Sequence, residues 1–406
     1  DFHLRLADFF YDFFDEFNDL LDFFMCEHDS VQDSIFRHFL CTCFMGIIKK
    51  DCLDTMTDDE LQWGAIPYGA FYVDEYIPGD RIILKPNPYY KTNLPLLKNK
   101  GPVDLDYITV IVADTEAFTQ TTMLANGEVD VLSGINMEQH AELQSIDSVI
   151  TLENTYPNIE YFELNQDHKD LQDINVRKAI MLALDRDAME EMCNGAMKPA
   201  YSMITEGMQF FSEKAEAYFK DNLSNNVEEA KRLLAEAGYT MNGEGYLEKD
   251  GSVLEFTFLT RSSGTAVTVA QEMQLQLQEI GIKMNIETID WNYIYERMAD
   301  DDYDAGIAVL EWAEAILVLN YAYYDPNTKS DADMQVYKDL IEKAATSSDM
   351  DQAVEHVYEA QMEMFKDCAI VPLYSDVSYC AYRNDINGLV VCGDGTLFYN
   401  DINYAG

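Results

Sequence analysis

Three adjacent ionisable residues, Asp185-Arg186-Asp187, are the first place in this sequence where side-chain types suggest chemistry. Carboxylates flanking a guanidinium do acid/base work only beside a reacting group, such as a nucleophile with its base. No His or Ser stands in a catalytic spacing to them. The residues therefore read as a solvated ion-pair turn at a helix end, with little energetic consequence. Upstream, Arg177 falls one turn inside a helix that Asp173 opens. It reads as structural, paired with Asp173 or with a backbone carbonyl. A second acidic run, Asp300 to Glu311, imitates a calcium loop, with Asp300, Asp302, Asp304 and Glu311 in loop order. The position that needs Gly for a sharp turn is Ala305, and the second half reads as a strand, so no metal is expected there. Cys26, His28, His38, Cys41 and Cys43 are metal-ligand types without a standard zinc spacing. Gly-x-Ser-x-Gly, P-loop and Rossmann patterns are absent, and the six His form no His-x-x-x-His pair. A hydrolase would find no nucleophile and base. No catalytic residue, metal or cofactor is expected. Trp291 and Trp312 are more informative. Each stands at a strand boundary, where an aromatic wall beside charge can hold an extended, partly apolar ligand. Ordinary half-buried packing is the alternative for each.

The elements that must position these residues are written in the pattern. The chain has 406 residues, 48% hydrophobic, enough for two domains or one large two-lobed body. Its formal net charge of -47 is spread along the whole length. Such a surface repels phosphate backbones and anionic lipid heads, so neither nucleic acid nor a membrane surface is an expected partner. No run is long and apolar enough to span a bilayer. The chain starts at Asp1, so a mature or truncated form is expected. The eight Cys make no disulfide pattern and read as free, mostly buried thiols. Between Asp8 and Phe24 a Phe- and Leu-rich face opposes an Asp-rich one, the pattern of an amphipathic helix whose charge sign is wrong for a membrane.

From Trp63 onward strands alternate with helices, which argues α/β with a mixed sheet. "RIILKPNPYY" (Arg81 to Tyr90) is a strand closed by a Pro-Asn-Pro turn, and "DYITVIVAD" (Asp106 to Asp114) is a β-branched strand. Helix follows from Thr115 to Ala125, a short strand from Gly127 to Leu132, and helix from Asn136. Strands fall near Val149 to Glu153 and at "NIEYFELN" (Asn158 to Asn165). The helix after Asp173 carries an apolar stripe of Val176, Ile180, Ala183 and Leu184. Asn226 and Glu229 have capping-box spacing, and Gly238 stops that helix. Thr265 to Trp291 reads as helix, Gly281 turn and strand. Tyr303 to Trp312 is a strand. Two helices, Asp331 to Thr346 and Asp349 to Lys366, precede "AIVPLY" (Ala369 to Tyr374), a strand that stops at a Pro.

Taken in order, these pieces resemble the extracytoplasmic solute-binding proteins of ABC importers, in the oligopeptide/dipeptide-binding family. The likeness is carried by "YGAFYVDEYIPGDRIILKPNPYY", "LANGEVDVL", "YFELNQDHKDLQDINVRKAIMLALDRDAM", "EEAKRLLAEAGY", "LQLQEIGIKMNIE", "YDAGIAVLEW" and "AIVPLY". It covers about Gly46 to the C-terminus. The resemblance implies a two-lobed, type II venus-flytrap fold without enzymatic activity. Residues 1–50 would be a remnant of an intermediate subdomain, 51–163 with 376–406 one lobe, and 164–375 the other. Two strands would cross between lobes, near Phe162 to Asn165 and Pro372 to Ser375. The partners implied are a peptide and the subunits of a membrane permease. The location implied is extracytoplasmic, with a lipid anchor in the full-length precursor, and a monomer is expected. By position in the family pattern, Trp291, Arg297 and Trp312 would line one wall of the cleft, and Ser133, Gly134 and Asn136 the other. Peptide binders commonly place an Asp three residues past the strand-end Trp, to pair with the peptide amino terminus. Ala315 stands there, with Glu314 as the candidate carboxylate. The resemblance implies that the family's N-terminal part of the first lobe would not be found within this sequence. Other readings stay open: the same fold holding a nickel chelate or an oligosaccharide, or a truncated relic that binds nothing.

Overall fold

In a computed structural model, the described residues are 55–57, 68–112, 116–262, 264–323, 334–393 and 395–404. The amphipathic segment at residues 8–24 and the Cys/His group at 26–43 lie outside them.

The first sheet is a meander of β1 (Phe71–Ile77), β2 (Arg81–Pro86) and β3 (Ile108–Ile111), with both pairs antiparallel. Helix α1 (Ala117–Asn126) stops at Gly127, whose φ of 73° a side chain would strain. β4 (Val131–Ile135) leads to α2 (Met137–Leu143), which Asn136 caps in a reciprocal box with Gln139. β5 (Val149–Thr155) and β6 (Ile159–Leu164) follow.

Helix α3 (Ile174–Ala183) opens on Asp173, whose carboxylate accepts the Asn175 N–H, and α4 (Arg186–Met192) opens on Asp185 in the same way. β7 (Met197–Pro199), α5 (Glu213–Leu223) and α6 (Val227–Glu236) come next, then a small meander of β8 (Thr240–Met241), β9 (Leu247–Lys249) and β10 (Ser252–Val253). The rest alternates: β11 (Glu255–Thr260), α7 (Gly264–Glu279), β12 (Lys283–Thr288), α8 (Trp291–Ala299), β13 (Ala305–Leu310), α9 (Ala315–Tyr323), α10 (Met334–Thr346), α11 (Met350–Met364) and β14 (Ile370–Arg383). Helices α8 and α9 were not legible as separate elements. Short strand pairs close the described chain.

One sheet runs in the order β12-β11-β13-β6-β14-β4, with β5 and β7 also on β14. β11 is parallel to β12 and to β13, and the remaining pairings are antiparallel, so the sheet is mixed. β14 does not stop at its proline. It is 14 residues long in all, pairing with β6 at its start and with β5 and β4 at its end. Pro372 lacks an N–H, but the register shifts between Pro372 and Tyr374, so the break in the ladder falls where the proline needs it. A large core gathers the faces of β6, β11, β13 and the start of β14 beneath α3, α7 and α11. A second, small cluster of Leu124, Ile135, Leu143, Tyr379 and Ala381 lies at the other end of β14.

The Asp185-Arg186-Asp187 turn is not solvated as expected. Arg186 is 1% exposed, its Nε donates to the Pro372 carbonyl at 2.6 Å, and its guanidinium lies over the Tyr201 ring. Asp187 accepts from the Tyr201 hydroxyl and from Lys220. The triplet pins α4 to β14 and is an interior joint. Arg177 is structural as expected: it donates to the carbonyls of Asp367, Leu171 and Gln172.

Candidate functional site

The parallel strands β11, β12 and β13 all end at one edge of the sheet, on Thr260, Thr288 and Leu310. β6 runs the other way and starts there, with Ile159 opposite Leu310. β14 reaches the same edge at Tyr374, opposite Glu160, and then passes on to β5. The carboxyl ends of parallel strands leave a crevice in open α/β sheets, because the chain turns away from each strand in a different direction. The candidate side chains collect there.

Glu160 is 1% exposed at the start of β6. Arg261, one residue beyond β11, meets both of its oxygens: Nη1 donates to Oε2 at 2.9 Å and Nη2 to Oε1. Trp291, the first residue of α8, lies under that guanidinium, 5.3 Å from ring to Cζ. Tyr295, one turn on, meets the Trp291 ring edge-on at 4.7 Å. Trp312, two residues past β13, meets Tyr321 of α9 in the same way at 5.4 Å. Both Trp residues are half-buried and pack on the large core, so packing and wall-forming are the same job here.

Charge at this edge is dominated by carboxylates. Burial pushes Glu160 up to about 7, against the hydrogen bonds and charge of Arg261, with Asp376 and Glu311 adding to the rise. Burial likewise raises Asp376, opposed by its hydrogen bond with Asn158 and by Arg261. Burial works against the Arg261 charge, but Glu160 outweighs it and holds the guanidinium protonated. An Arg side chain stays charged in proteins, so the bidentate pair is ionic and gives way only when Glu160 takes a proton.

The other sequence candidates fall in three places. Arg297 sits at the far end of α8 from Trp291, where Nη1 donates to Glu287 at 3.0 Å and Nε to the Asp302 carbonyl at 2.9 Å. Glu314 immediately precedes α9 and is half-buried, and its carbonyl accepts the Val318 N–H. Ala315 is 0% exposed, so that position faces the core. Ser133 and Asn136 lie on and just after β4, both exposed, with the Asn136 side chain spent on capping α2. The structure thus joins Trp291 to Arg261 and Glu160, and sets Arg297 apart. The sequence reading missed Arg261 and Glu160. Their signal was positional, since each stands at a strand terminus of the same edge. Of the imitation calcium loop, Asp304 and Glu311 stand at opposite ends of β13, and Asp304 accepts the Thr257 N–H. Among the described residues no group of His, Cys, Asp and Glu could hold a metal ion.

The family model described as bacterial extracellular solute-binding proteins, family 5 (middle), matches residues 47–334. The chain belongs to this family. Among curated relatives, the periplasmic oligopeptide-binding protein OppA of Salmonella typhimurium is 26% identical over 318 residues, which are 75% of this chain and 54% of that protein. The chain spans about half the length of the curated relatives it matches, 54% and 55% for the first two. Among solved structures, NikA of Brucella suis in complex with Fe(III)-EDTA superposes with a TM-score of 0.66 at 20% identity, covering 86% of this chain and 70% of that one. The oligopeptide-binding protein AppA of Bacillus subtilis, in complex with a nonapeptide, gives 0.63 at 20%, covering 89% and 72%. These neighbours are two-lobed periplasmic binding proteins, and the α/β fold expected from the sequence is the one observed. Family 5 proteins are solute-binding proteins rather than enzymes. Among the described residues no helix is long and apolar enough to cross a membrane.

Proposed function

We propose that this chain is the substrate-binding component of an ABC-type importer, which captures peptides in a cleft between two lobes and delivers them to a membrane permease. The single observation that carries this reading is the site itself. Two half-buried Trp residues, each set edge-on to a Tyr, stand at the carboxyl ends of parallel strands beside the point where β14 changes partners. Aromatic walls take apolar side chains of varied shape, which suits a ligand with a constant backbone and variable side chains. β4 is an edge strand among the described residues, since it pairs only with β14. Its free edge at Ser133 offers N–H and C=O groups to an extended peptide main chain. Ser133 and Asn136 are therefore assigned to one wall, and Trp291 and Trp312 to the other. Arg297 and Glu314 keep a lesser place at the rim.

The lobes are assigned from the pairing of β14. One lobe comprises the sheets before Thr155 with the chain after Val377, and the other the residues between. The crossings are Thr155 to Ile159 and Tyr374 to Val377. Closure of such lobes on a ligand would be a hinge motion, and the closed form the one presented to the permease. The same reading places the protein outside the cytoplasm as a monomer, lipid-anchored in its precursor. The relatives named for oligopeptides support the peptide class. The test is a thermal-shift screen of the purified chain against mixed di- to hexapeptides. A ligand at a hundred times its dissociation constant adds about 2.7 kcal/mol of stability. A cooperative melt that no peptide moves would exclude the peptide reading.

A further inference from the structure

We infer that residues 8–24 of this chain dock on the apolar face of the β1-β2-β3 sheet and supply the cover that this face lacks among the described residues. The inference is independent of what the cleft binds.

The face is set by register. Paired residues of an antiparallel sheet point to the same side. Pro86 pairs with Phe71, Leu84 with Val73 and Ile108, and Ile82 with Tyr76 and Val110. That side of the sheet holds no charged residue. The opposite side carries Glu75, Arg81 and Lys85, and Lys85 reaches Asp74 at 2.8 Å. A sheet with one apolar face needs another layer to bury it. Here none of the paired apolar residues is fully buried, Val110 is 37% exposed, and none belongs to either core cluster. Tyr399 covers one end, where its ring meets Phe71 edge-on at 6.1 Å. An apolar surface of this extent marks an interaction site.

Residues 8–24 lie outside the described residues, and their sequence fits this face in chemistry and in size. The pattern is that of an amphipathic helix, with Phe10, Phe13, Phe14, Phe17, Leu21 and Phe24 on one side. Asp12, Asp15, Asp19 and Asp22 take the other. Docked with its Phe side down, the segment leaves its carboxylates in water; any other orientation would bury charge without a partner. A helix of that length runs about 26 Å. Three strands lie about 14 Å across, and a strand of seven residues runs about 23 Å, so one helix spans the face. Residues 25–70 join the segment to β1, a tether much longer than the sheet. A second copy of the chain is disfavoured as the occupant. Each copy carries a formal charge of -47 and repels its like, whereas a tethered segment has an effective concentration on the order of millimolar.

The experiment is photo-crosslinking of the full chain with benzoylphenylalanine in place of Phe17, in an equal mixture of isotopically labelled and unlabelled chains, read by mass spectrometry. Crosslinks should join that position to peptides of β1, β2 or β3 and lie within one isotopic form. Amide exchange is the second readout. Phe13→Asp with Phe17→Asp should speed exchange of the β2 and β3 amides about tenfold and leave those of α3 and α7 unchanged, which separates undocking from unfolding. Phe13→Leu with Phe17→Leu, and Asp15→Asn on the acidic side, should leave exchange as it is. Crosslinks between the two isotopic forms would assign the face to a second copy and overturn the inference. Crosslinks elsewhere in the same chain, no crosslink to the sheet, or β2 and β3 exchange unmoved by the paired Asp changes overturn it as well.

Discussion

Asn158 holds Asp376 by two hydrogen bonds: its Nδ2 donates to the Asp376 carboxylate at 2.7 Å, and its Oδ1 accepts the Asp376 N–H at 2.9 Å. The Tyr156 N–H adds a third bond to the Asp376 carbonyl. These bonds tie the segment between β5 and β6 to β14 at the point where both change partners. Asn158 is 0% exposed. Truncating one member of a buried polar pair leaves the other unmatched, which costs more than the bond itself. Asn158→Ala should therefore lower stability by about 2–4 kcal/mol, read by urea denaturation. A loss below about 0.5 kcal/mol would show that solvent replaces the pair without strain.

Gly207 buttresses the same segment from outside. A methyl group on it would come within 2.9 Å of the Pro157 Cα and 3.1 Å of the Thr155 carbonyl. Those are backbone atoms, so relief requires moving the chain rather than a side chain. Gly207→Ala should cost about 1–3 kcal/mol. An unchanged denaturation midpoint would place the crossing farther from residue 207.

The Glu160–Arg261 pair should give stability a characteristic pH dependence. Glu160 titrates at about 7 when folded, well above the ordinary value of 4.5. Between those values the folded chain holds a proton that the unfolded chain has released, so stability falls as pH rises from about 4.5 to 7. Glu216, held by the N–H groups of Tyr201 and Ser202, is also raised by burial to about 7 and contributes the same sign. Glu160→Gln should therefore flatten part of the slope, and Glu160→Gln with Glu216→Gln most of it. Denaturation curves at a series of pH values check this. A slope in the single variant equal to that of the unaltered chain would mean that Arg261 holds Glu160 ionised throughout.

Arg186 and Asp187 make a contrast within one turn. Arg186 is buried against Pro372 and Tyr201, whereas Asp187 is exposed beside Lys220. Arg186→Met should cost about 3 kcal/mol or more, since it strands the Pro372 carbonyl and empties a packed site. Asp187→Asn should cost under about 1 kcal/mol. Equal effects in thermal melts would refute the assignment of the triplet as an interior joint.

That triplet also shows what the sequence carries and what it withholds. Caps and periodicity are local, so Asp173, Asn136, Asn226 and the strand Ile159–Leu164 were legible from neighbours within a turn or two. The burial of Arg186 depends on Pro372 and Tyr201, distant in the chain, and no local pattern records it. Glu160 and Arg261 are 101 residues apart and meet only because β6, β13 and β11 lie side by side. Trp291 and Trp312 were found because a Trp at an element boundary is conspicuous alone. Arg297 followed from its place in the family pattern, which does not say which acidic residues stand at the end of α8. The length of β14 was hidden by Pro372, which reads as a stop unless the bulge that accommodates it is known.

Arg297 and Trp312 can be separated by ligand binding. Arg297 has donors on Glu287 and Asp302, at the end of α8 away from Trp291. Trp312 presents a half-buried ring beside Tyr321 at the strand-end edge. A large ring forming the wall of a cleft is the kind of residue whose removal costs about 2 kcal/mol of binding, roughly thirtyfold in affinity. Trp312→Ala should therefore weaken a peptide that the unaltered chain binds by about that factor. Arg297→Ala should leave its affinity within about twofold, because the charge it loses is already paired. Calorimetry on both variants, with a thermal melt to show that each is folded, decides the matter. A large loss in Arg297→Ala with none in Trp312→Ala would move the ligand to the other end of α8 and away from the Glu160–Arg261 edge.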